Sequence, residues 1–260
     1  MNVIAYGAGT NSTAMLVGLH ERGERADLIL FADTGGERPE TYKHVQEVSN
    51  WCKSVGFPEI ITVMNKETKG KHGNYQTLEE NCLVNKGLPS IAYGFKACSL
   101  KHKVAPQDRF CNSVPELQAI WKSGAKVTKL IGYDAGEERR AKIASDDKYE
   151  YRYPLLEWDW GRDECVAAIE RAGLPQPGKS ACFFCPSSKP HEIKRLQLEH
   201  PDLLARALAM EANAKENLTS VKGLGRNWSW TDFIKFNDAQ INLFKTYIEE
   251  PCGCYDGEQE

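Results

Sequence analysis

The chain has 260 residues, of which 41% are hydrophobic and 27% are charged, as in an ordinary globular protein. Its formal net charge of −3 argues against a strongly basic nucleic-acid-binding protein, although it leaves room for a local basic groove. The sequence contains no apolar run long enough to cross a membrane, and residues 1–6 lack the basic and apolar regions of a secretory signal. We therefore expect a cytoplasmic protein that does not associate with a membrane.

Nine cysteines, an odd number, occur in the chain. Disulfides are rare in the reducing cytoplasm, so clustered cysteines there point to metal or redox chemistry. We expect the cysteines that lie outside any motif to be plain buried side chains, namely Cys52, Cys82, Cys111 and Cys165. The remaining cysteines are the candidates for chemistry.

Short apolar runs alternate with helical patterns through the first part of the sequence. Residues 3–6 and 28–32 are apolar runs that predict buried strands, and residues 60–63 predict a third strand. Apolar residues at helical spacing follow the first run, and a second helical pattern covers residues 39–55. This strand–helix–strand alternation is typical of parallel strands joined by crossover helices, so the predicted fold class is α/β.

The middle of the chain changes in character. Residues 65–94 are polar, glycine-rich and locally basic, and they predict a mobile loop or lid with a short helix at 78–82. A solvated surface excursion fits the same composition. Further along, residues 127–132 predict a strand and residues 164–172 a helix.

The C-terminal part is predicted to be mainly helical. Residues 193–218 form one long helical pattern, or two helices joined at His200-Pro201. A tryptophan-rich turn then precedes a predicted helix at 238–249. We place a nucleotide-binding unit at residues 1–190 and a smaller helical unit, ending in a Cys-Gly-Cys tail, at residues 191–260.

A turn of small residues follows the first predicted strand and leads directly into a helix. It reads Gly7-Ala8-Gly9-Thr10-Asn11-Ser12-Thr13. Helix N-termini offer unpaired N–H groups and a partial positive charge, and glycines let the backbone approach a phosphate. A tight turn that needs glycine for geometry alone would look the same. The turn has neither the Gly-Lys-Ser/Thr of a Walker A motif nor the Gly-x-Gly-x-x-Gly of a dinucleotide site.

The turn resembles the PP-loop of ATP pyrophosphatases, Ser-Gly-Gly-x-Asp-Ser, although three of the six letters differ. One difference, Asn11 in place of aspartate, removes a charge beside the phosphates. Residues 31–42 resemble the Asp-Thr-Gly-x-x-x-Pro-Glu-Thr signature of phosphoadenylylsulfate reductases and their relatives. Asp33 would lie at the carboxyl end of a strand, where open α/β sheets bind ligands, and would hold a ribose hydroxyl or a metal ion. Capping of the next helix is the alternative role for Asp33.

Two later segments resemble the same family. Residues 98–106 match a pattern of cysteine, four residues and Lys-Ile/Val-x-Pro, which implies that Lys103 contacts a phosphate or sulfate. Residues 132–140 resemble Gly-x-x-x-x-Glu-x-x-Arg, which implies that Arg140 clamps a phosphate and Glu137 orients it. Taken alone, the second match would also fit a surface helix with mixed charges. The matches occur in the same order along the chain as in the family. On this basis the chain is identified as resembling the PP-loop superfamily.

The cysteines give a further indication. Cys182 and Cys185 form a Cys-x-x-Cys turn, from which both thiolates can reach one metal centre. In cluster-containing reductases and tRNA-thiolation enzymes of this group, such a pair joins a cysteine at the position of Cys98, which implies a 4Fe-4S cluster here. The fourth iron in such proteins is bound by another cysteine or left open for an external ligand. Cys252 and Cys254 are candidates for the fourth ligand here, and we assign Cys254. A structural zinc ion and a dithiol redox pair are the alternatives.

The resemblance implies an adenine-nucleotide α-hydrolase-like, Rossmann-like fold. It also implies an ATP pyrophosphatase that adenylates a nucleic-acid target for sulfur insertion, like the ATP-pyrophosphatase component of DNA phosphorothioate modification systems. A cysteine desulfurase and other modification subunits would be its partners. The implied catalytic residues are Asn11, Lys103, Arg140, Cys252 and Cys254. The residues implied to hold ATP with Mg²⁺ are Tyr6, Gly7, Ala8, Gly9, Thr10, Asn11, Ser12, Thr13, Asp33, Thr34, Gly35, Lys103, Gly132, Glu137 and Arg140.

Two other functions remain open on the same residues. Residues 250–254, Glu-Pro-Cys-Gly-Cys, are similar to the Glu-Cys-Gly-Leu-His tail of sulfonucleotide reductases, in which a thiolate attacks sulfur. A non-catalytic nucleotide- or DNA-binding subunit would also tolerate Asn11 and the absence of a loop lysine. Asp33, Lys103 and the cysteines favour an enzyme, and the Asn-Ser-Thr run at residues 11–13 favours ATP.

Overall fold

A computed structural model of the chain describes residues 1–238, without the side chains of residues 237 and 238. Its centre is a five-stranded parallel sheet in the order β3-β2-β1-β6-β7, and a separate antiparallel hairpin pairs β4 with β5. The strands in chain order are β1 Asn2–Tyr6, β2 Leu28–Asp33, β3 Ile60–Met64, β4 Thr68–Lys69, β5 Asn74–Tyr75, β6 Val127–Ile131 and β7 Tyr149–Arg152.

The sheet is built around β1, which pairs in parallel with β2 on one side and with β6 on the other. Val3 is opposite Leu28 in the first pair and opposite Lys129 in the second. β2 is buried along its whole length, as expected for an apolar strand with helices on both faces. The strand order reverses direction between β1 and β6, and such a switch point opens a crevice at the carboxyl ends of the strands.

Helices cover both faces of the sheet. Several of them begin with proline, whose fixed φ and missing N–H suit the first helical position. The α-helices in chain order are α1 Thr10–Glu21, α2 Pro39–Ser54, α3 Leu78–Val84, α4 Ala97–Ser99, α5 Ala105–Ser113, α6 Pro115–Lys122, α7 Pro154–Glu157, α8 Arg162–Arg171, α9 Pro190–Glu199, α10 Pro201–Ala214 and α11 Trp230–Asp238. Met15 of α1, Val48 of α2 and Ile169 of α8 pack on one face of the sheet. Cys111 of α5 and Leu117 of α6 pack on the other face.

A second core lies beside the sheet. It gathers apolar side chains from α3, α9, α10 and α11 around Phe183 and Phe184. The two phenylalanine rings meet edge to face at 4.7 Å between centroids. This core takes residues from both sides of the predicted division at residue 190.

The alternating part of the sequence predicted the sheet correctly. β1, β2, β3 and β6 lie where the apolar runs placed them, and the helical pattern after residue 193 proves to be two helices that divide at Pro201. The parallel α/β class is therefore confirmed.

Three expectations need correction. The segment predicted as a loop or lid contains the unpredicted β4–β5 hairpin, in which Tyr75 is buried, whereas the short helix predicted at 78–82 is present as α3. The sequence did not predict β7, which forms an edge of the sheet. The helix after the tryptophan-rich turn begins at Trp230 rather than at residue 238, and the predicted range 238–249 falls almost entirely outside the described residues.

Among residues 1–238, no helix combines the length and the apolar character that crossing a membrane requires.

Candidate active site

β1 leads through a sharp turn into α1. Residues 7–13, which were predicted to bind phosphate, are called the phosphate turn. Ala8 adopts a left-handed conformation with a φ of 58°, and Gly9 is the N-cap of α1. The Ser12 Oγ donates to the Gly9 carbonyl at 3.1 Å and accepts from the Gly9 N–H at 3.3 Å. Within α1, the first turn has no acidic side chain. The helix N-terminus beginning at Thr10 therefore keeps its partial positive charge, as an anion site requires.

Tyr6 and Thr13 lie behind this turn. Tyr6 is 1% exposed and Thr13 is 0% exposed, and their hydroxyl oxygens are 3.2 Å apart. The Thr13 hydroxyl also contacts the His44 Nε2 atom at 3.0 Å. Burial raises the pKa of Tyr6, so its phenol stays protonated. Both side chains were predicted to contact the nucleotide, but they support the turn from the core.

The crevice between β1 and β6 brings the loop and the Gly132–Arg140 segment together. The Asn11 side-chain amide donates to Asp134 Oδ2 and to Glu137 Oε2, both at 3.0 Å. Arg140 forms an ion pair with the other Glu137 oxygen. Asn11, Glu137 and Arg140, predicted from separate motifs, are thus one hydrogen-bonded group at the switch point.

Burial and the neighbouring arginine act in opposite directions on the pKa of Glu137. Burial raises the pKa of Glu137, against the lowering effect of the Arg140 guanidinium. Arg140 also lies over the Tyr133 ring, 4.4 Å from its centroid, and Tyr133 stacks on Tyr153. The two carboxylates at 134 and 137, together with this arginine, form a polar surface suited to a metal-bound polyphosphate.

The end of β2 forms the next part of the edge. The Asp33 carboxylate accepts from the Gly35 N–H at 2.7 Å and from the Tyr42 hydroxyl at 2.9 Å. Burial, followed by the Asp33 charge, raises the pKa of Tyr42. Gly35 has a φ of +73°, and a Cβ there would lie 2.3 Å from the side chain of Thr77, so this position requires glycine. Asp33 thus orders its own turn.

Residues 180–185, which we call the cysteine loop, connect these parts. A Cβ built on Gly9 would lie 3.0 Å from the Ser180 hydroxyl, so the cysteine loop touches the phosphate turn. The Thr34 hydroxyl lies 3.1 Å from the Cys182 sulfur. The Phe183 N–H donates to the Gly36 carbonyl at 2.8 Å. The cysteine loop therefore packs against the ends of both β1 and β2.

The structure brings together the three cysteines that the motifs singled out. A tight turn, closed by the Cys185 N–H on the Cys182 carbonyl at 2.9 Å, holds the Cys-x-x-Cys pair. Cys98, fixed by its N–H on the Ser90 hydroxyl at 2.7 Å, packs on the same second core as Cys182. Burial raises the pKa of Cys182 and of Cys185, and the charge of Cys98 acts on Cys185 in the same direction.

The spacing of the three sulfurs bears on the choice between zinc and a cluster. A tetrahedral zinc site with bonds of about 2.3 Å keeps its sulfurs about 4 Å apart. Within residues 1–238, the one trio of possible ligand atoms that all lie within 4.8 Å of one another is the surface group Glu40, Glu199 and His200. The sulfurs of Cys98, Cys182 and Cys185 therefore do not all lie within that distance of one another.

Lys103 lies with the cysteines. Its Nζ is 3.5 Å from Glu37 Oε1, and its charge lowers the pKa of both Cys182 and Cys185. The predicted phosphate contacts thus divide into two places, with Arg140 beside the phosphate turn and Lys103 beside the cysteine loop.

The sequence predictions missed three residues of this edge. Asp134 lies within the 132–140 motif, three residues after β6, at a position that the motif leaves variable. Glu37 occupies a variable position of the Asp-Thr-Gly signature, and its side chain is 1% exposed. Ser180 precedes the Cys-x-x-Cys turn and carries no sequence signal of its own.

The other cysteines divide into two groups. Those expected to be plain core residues are confirmed as buried: Cys52, Cys82, Cys111 and Cys165. Burial raises the pKa of Cys52 and of Cys165 to about 12, which leaves both thiols protonated. Cys252 and Cys254, the candidates for catalysis and for the fourth ligand, lie outside the described residues.

Comparison with known proteins finds no family model and no curated protein that matches this chain.

Proposed function

We propose that this chain is an ATP pyrophosphatase that adenylates an oxygen of a nucleic acid and thereby prepares it for sulfur insertion. The observation that carries the proposal is the cysteine loop, which contacts the phosphate turn through Ser180 and the end of β2 through Cys182. An anion site and a group of thiols thus share one edge of the sheet. The finer fold assignment, adenine-nucleotide α-hydrolase-like, is part of the proposal.

The polar group at the switch point favours ATP as the nucleotide. Asp134 and Glu137 both face Asn11, so carboxylates stand beside a site for phosphates. Such an arrangement repels a bare anion but suits a phosphate chain that arrives with Mg²⁺. Asn11 would orient the two carboxylates toward the ion, and Arg140 would neutralise charge on the α-phosphate.

The reaction requires no covalent chemistry from the loop. The acceptor oxygen attacks the α-phosphorus, the bond to the bridging oxygen breaks, and pyrophosphate leaves. The N-terminal N–H groups of α1 would hold the departing pyrophosphate, because their partial charge is fixed in place before the reaction. Lys103, beside the cysteine loop, would stabilise negative charge near the cysteine sulfurs.

The residues of the second site fit an iron–sulfur cluster. Cys98, Cys182 and Cys185 are soft donors, and Cys98 and Cys182 pack against apolar side chains of the second core. When bound there, a cluster would supply the sulfur or electrons that the insertion needs. The tail cysteines, Cys252 and Cys254, would take part in the sulfur transfer.

A nucleic acid fits the surface beside this edge. The β4–β5 hairpin and the residues around it carry exposed basic side chains: Lys66, Lys69, Lys71 and His72. Phosphate backbones bind to such exposed cations through counterion release. A cysteine desulfurase would deliver sulfur to the thiols, and other modification subunits would present the acceptor.

The test compares ATP and phosphoadenylylsulfate as substrates for anaerobically purified protein. Release of pyrophosphate from ATP with Mg²⁺ is the expected result. Arg140→Ala should reduce this rate at least about tenfold, since a charge-stabilising contact is lost. Arg139→Ala, the exposed neighbour, is the matched control and should retain the rate. Release of sulfite without turnover of ATP would identify a sulfonucleotide reductase instead, and no turnover of either would leave a binding subunit.

A further inference from the structure

Glu37 is a buried carboxylate whose oxygens lack hydrogen bonds. The side chain is 1% exposed, and neither Oε1 nor Oε2 has a hydrogen-bond partner. Burial of an ionised carboxylate is costly unless hydrogen bonds or a cation compensate for the lost water. The Lys103 ammonium lies 3.5 Å from Oε1, well beyond the distance of about 2.8 Å expected for a charge-assisted hydrogen bond. The geometry leaves the carboxylate poised for a further cation.

The surroundings of Glu37 identify the kind of cation. Glu37 follows Gly36, whose carbonyl accepts from the Phe183 N–H at 2.8 Å. This backbone contact ties the Glu37 segment to the cysteine loop. A Cβ built on Gly36, the residue before Glu37, would lie 3.5 Å from the Cys182 Cβ. The buried Glu37 side chain therefore leaves the backbone directly beside the cysteine loop.

We propose that Glu37 is the fourth protein ligand of the metal centre, joining Cys98, Cys182 and Cys185 through a carboxylate oxygen. The inference rests on the iron–sulfur centre of the proposed function. With three soft thiolate ligands and one hard oxygen ligand, the iron bound to the oxygen would have a different ligand from the other three irons. An oxygen ligand is displaced more readily than a thiolate, so that iron is the one open to an incoming sulfur group. Ligation by Glu37 also leaves the tail cysteines available for sulfur transfer.

A role as the counter-ion of Lys103 is the competing explanation. It accounts for one oxygen of the carboxylate, at a long distance, but it leaves the second oxygen buried without a partner. Ligation to iron accounts for the burial and for the proximity to Cys182. The two explanations differ in what removal of Lys103 would do.

The experiment measures iron retention in the full chain. Wild-type protein and each variant are reconstituted anaerobically with ferrous iron and sulfide, and their iron and acid-labile sulfide contents and visible spectra are recorded. The rate of iron loss under mild oxidation with a chelator is then followed, with the three-iron signal monitored by electron paramagnetic resonance. Glu37→Gln keeps the size of the side chain but weakens the ligand, and Glu37→Cys replaces it with a thiolate. Glu59→Gln, exposed before the amino end of β3, is the matched control.

We expect Glu37→Gln to lose iron at least about tenfold faster than the wild type, because ligand changes of this kind weaken metal binding strongly. Glu37→Cys should lose iron more slowly than the wild type and shift the visible spectrum toward full thiolate ligation. The Cys252→Ser/Cys254→Ser double variant and Glu59→Gln should behave as the wild type. Far-ultraviolet circular dichroism of each protein establishes that it is folded.

Four results would overturn the inference. Wild-type retention of iron in Glu37→Gln would show that Glu37 is not a ligand, and fast loss in the tail double variant would place the fourth ligand in the tail. Recovery of iron retention when Lys103→Met is added to Glu37→Gln would make Glu37 a counter-ion only. A wild-type protein that takes up no iron–sulfur cluster would remove the centre itself, and the proposed function with it, whereas the first three results would leave that function standing.

Discussion

Gly132 lies where the end of β6 meets the first turn of α1. A Cβ built on it would lie 3.0 Å from the Asn11 carbonyl oxygen and 3.1 Å from the Ser12 Cα. Both are backbone atoms, which cannot rotate away as a flexible side chain can. The absence of a side chain at residue 132 thus sets the width of the crevice at the switch point.

Gly132→Ala is expected to destabilise the protein by about 1–3 kcal/mol, the usual cost of overpacking. It should also weaken ATP binding, because the phosphate turn must move away from β6. Urea unfolding and calorimetric titration with ATP and Mg²⁺ measure the two effects. Gly178→Ala is the control, since a Cβ there meets no atom within 4 Å, and it should change stability by no more than about 1 kcal/mol. Equal stability of the two variants would contradict the tight contact at Gly132.

His102 makes stability depend on pH. The residue is 1% exposed, and burial, followed by the charges of Lys101 and Arg109, lowers its pKa from 6.5 to about 4. Its Nε2 atom accepts from the Asn81 amide at 3.4 Å, a contact that requires the neutral ring. Between these two pKa values the unfolded chain binds more protons than the folded chain. The stabilisation is therefore complete above pH 6.5 and falls as the pH is lowered toward 4.

We expect this histidine alone to remove about 2 kcal/mol of unfolding free energy between neutral pH and pH 5. Urea unfolding of the metal-free protein at both pH values measures the loss. His102→Gln should lose correspondingly less between the two pH values, and His72→Gln, an exposed histidine, should follow the wild type. If His102→Gln and the wild type lose the same amount, the buried ring is not the source of the pH dependence.

At the scale of elements, Glu211 of α10 fixes the start of α11. Its Oε2 accepts from the Leu224 N–H at 2.7 Å and the Trp230 N–H at 2.9 Å. Its Oε1 accepts from the N–H of Thr231 at 2.9 Å and from its hydroxyl at 2.7 Å. One buried carboxylate thus satisfies unpaired donors at a helix N-terminus and in the preceding loop. The indole of Trp230 is held in the second core as a result.

Glu211→Ala should cost about 3 kcal/mol or more, because each hydrogen bond to a charged group contributes roughly 1.5–3 kcal/mol before the structure relaxes. Hydrogen exchange at Leu224, Trp230 and Thr231 should accelerate more than exchange in β1. Glu216→Ala, exposed just beyond the same helix, is the control. Uniform acceleration across the chain would indicate that Glu211 supports the whole fold rather than α11.

Helices and strands with a clear hydrophobic pattern, or with a proline at one end, could be predicted from the sequence. Others could not. β2 is apolar along its length, so its burial was visible in the sequence. β7 reads Tyr-Glu-Tyr-Arg at the edge of the sheet and has no apolar run that would have shown it. The polar stretch before α3 looked like a loop, because its buried Tyr75 is isolated among exposed residues. Tertiary contacts, not local pattern, order such segments.

The site was predictable to a similar degree. Asn11 and Arg140 were found through their motifs, and the strand order then brought them to one crevice. Glu37 and Ser180 were not found, because a buried carboxylate and a contacting hydroxyl have no pattern in the sequence that distinguishes them. What joins the motifs into a site is the strand order and the packing of the cysteine loop, which depend on the whole chain.

At the scale of the molecule, the second core joins the cysteine loop to the helices that follow it. Phe183 and Phe184 pack with Ile193 and Leu196 of α9 and with Met210 of α10. The cysteine loop is therefore shaped by helices that lie beyond residue 190. A nucleotide-binding unit that ended there would expose this apolar surface, at a cost of about 1.5–3 kcal/mol for each large side chain.

A chain that ends at residue 190 should therefore not fold as a cooperative unit. We expect it to bind the dye ANS strongly, to unfold without a sharp transition and to retain little iron after reconstitution, because the cysteine loop loses its support. The full chain, treated in the same way, is the reference. A truncated chain that unfolded as sharply as the full chain and retained iron would show that residues 1–190 form an independent domain. In that case the helices after residue 190 would only cover the cysteine loop, and the metal centre would depend on the sheet alone.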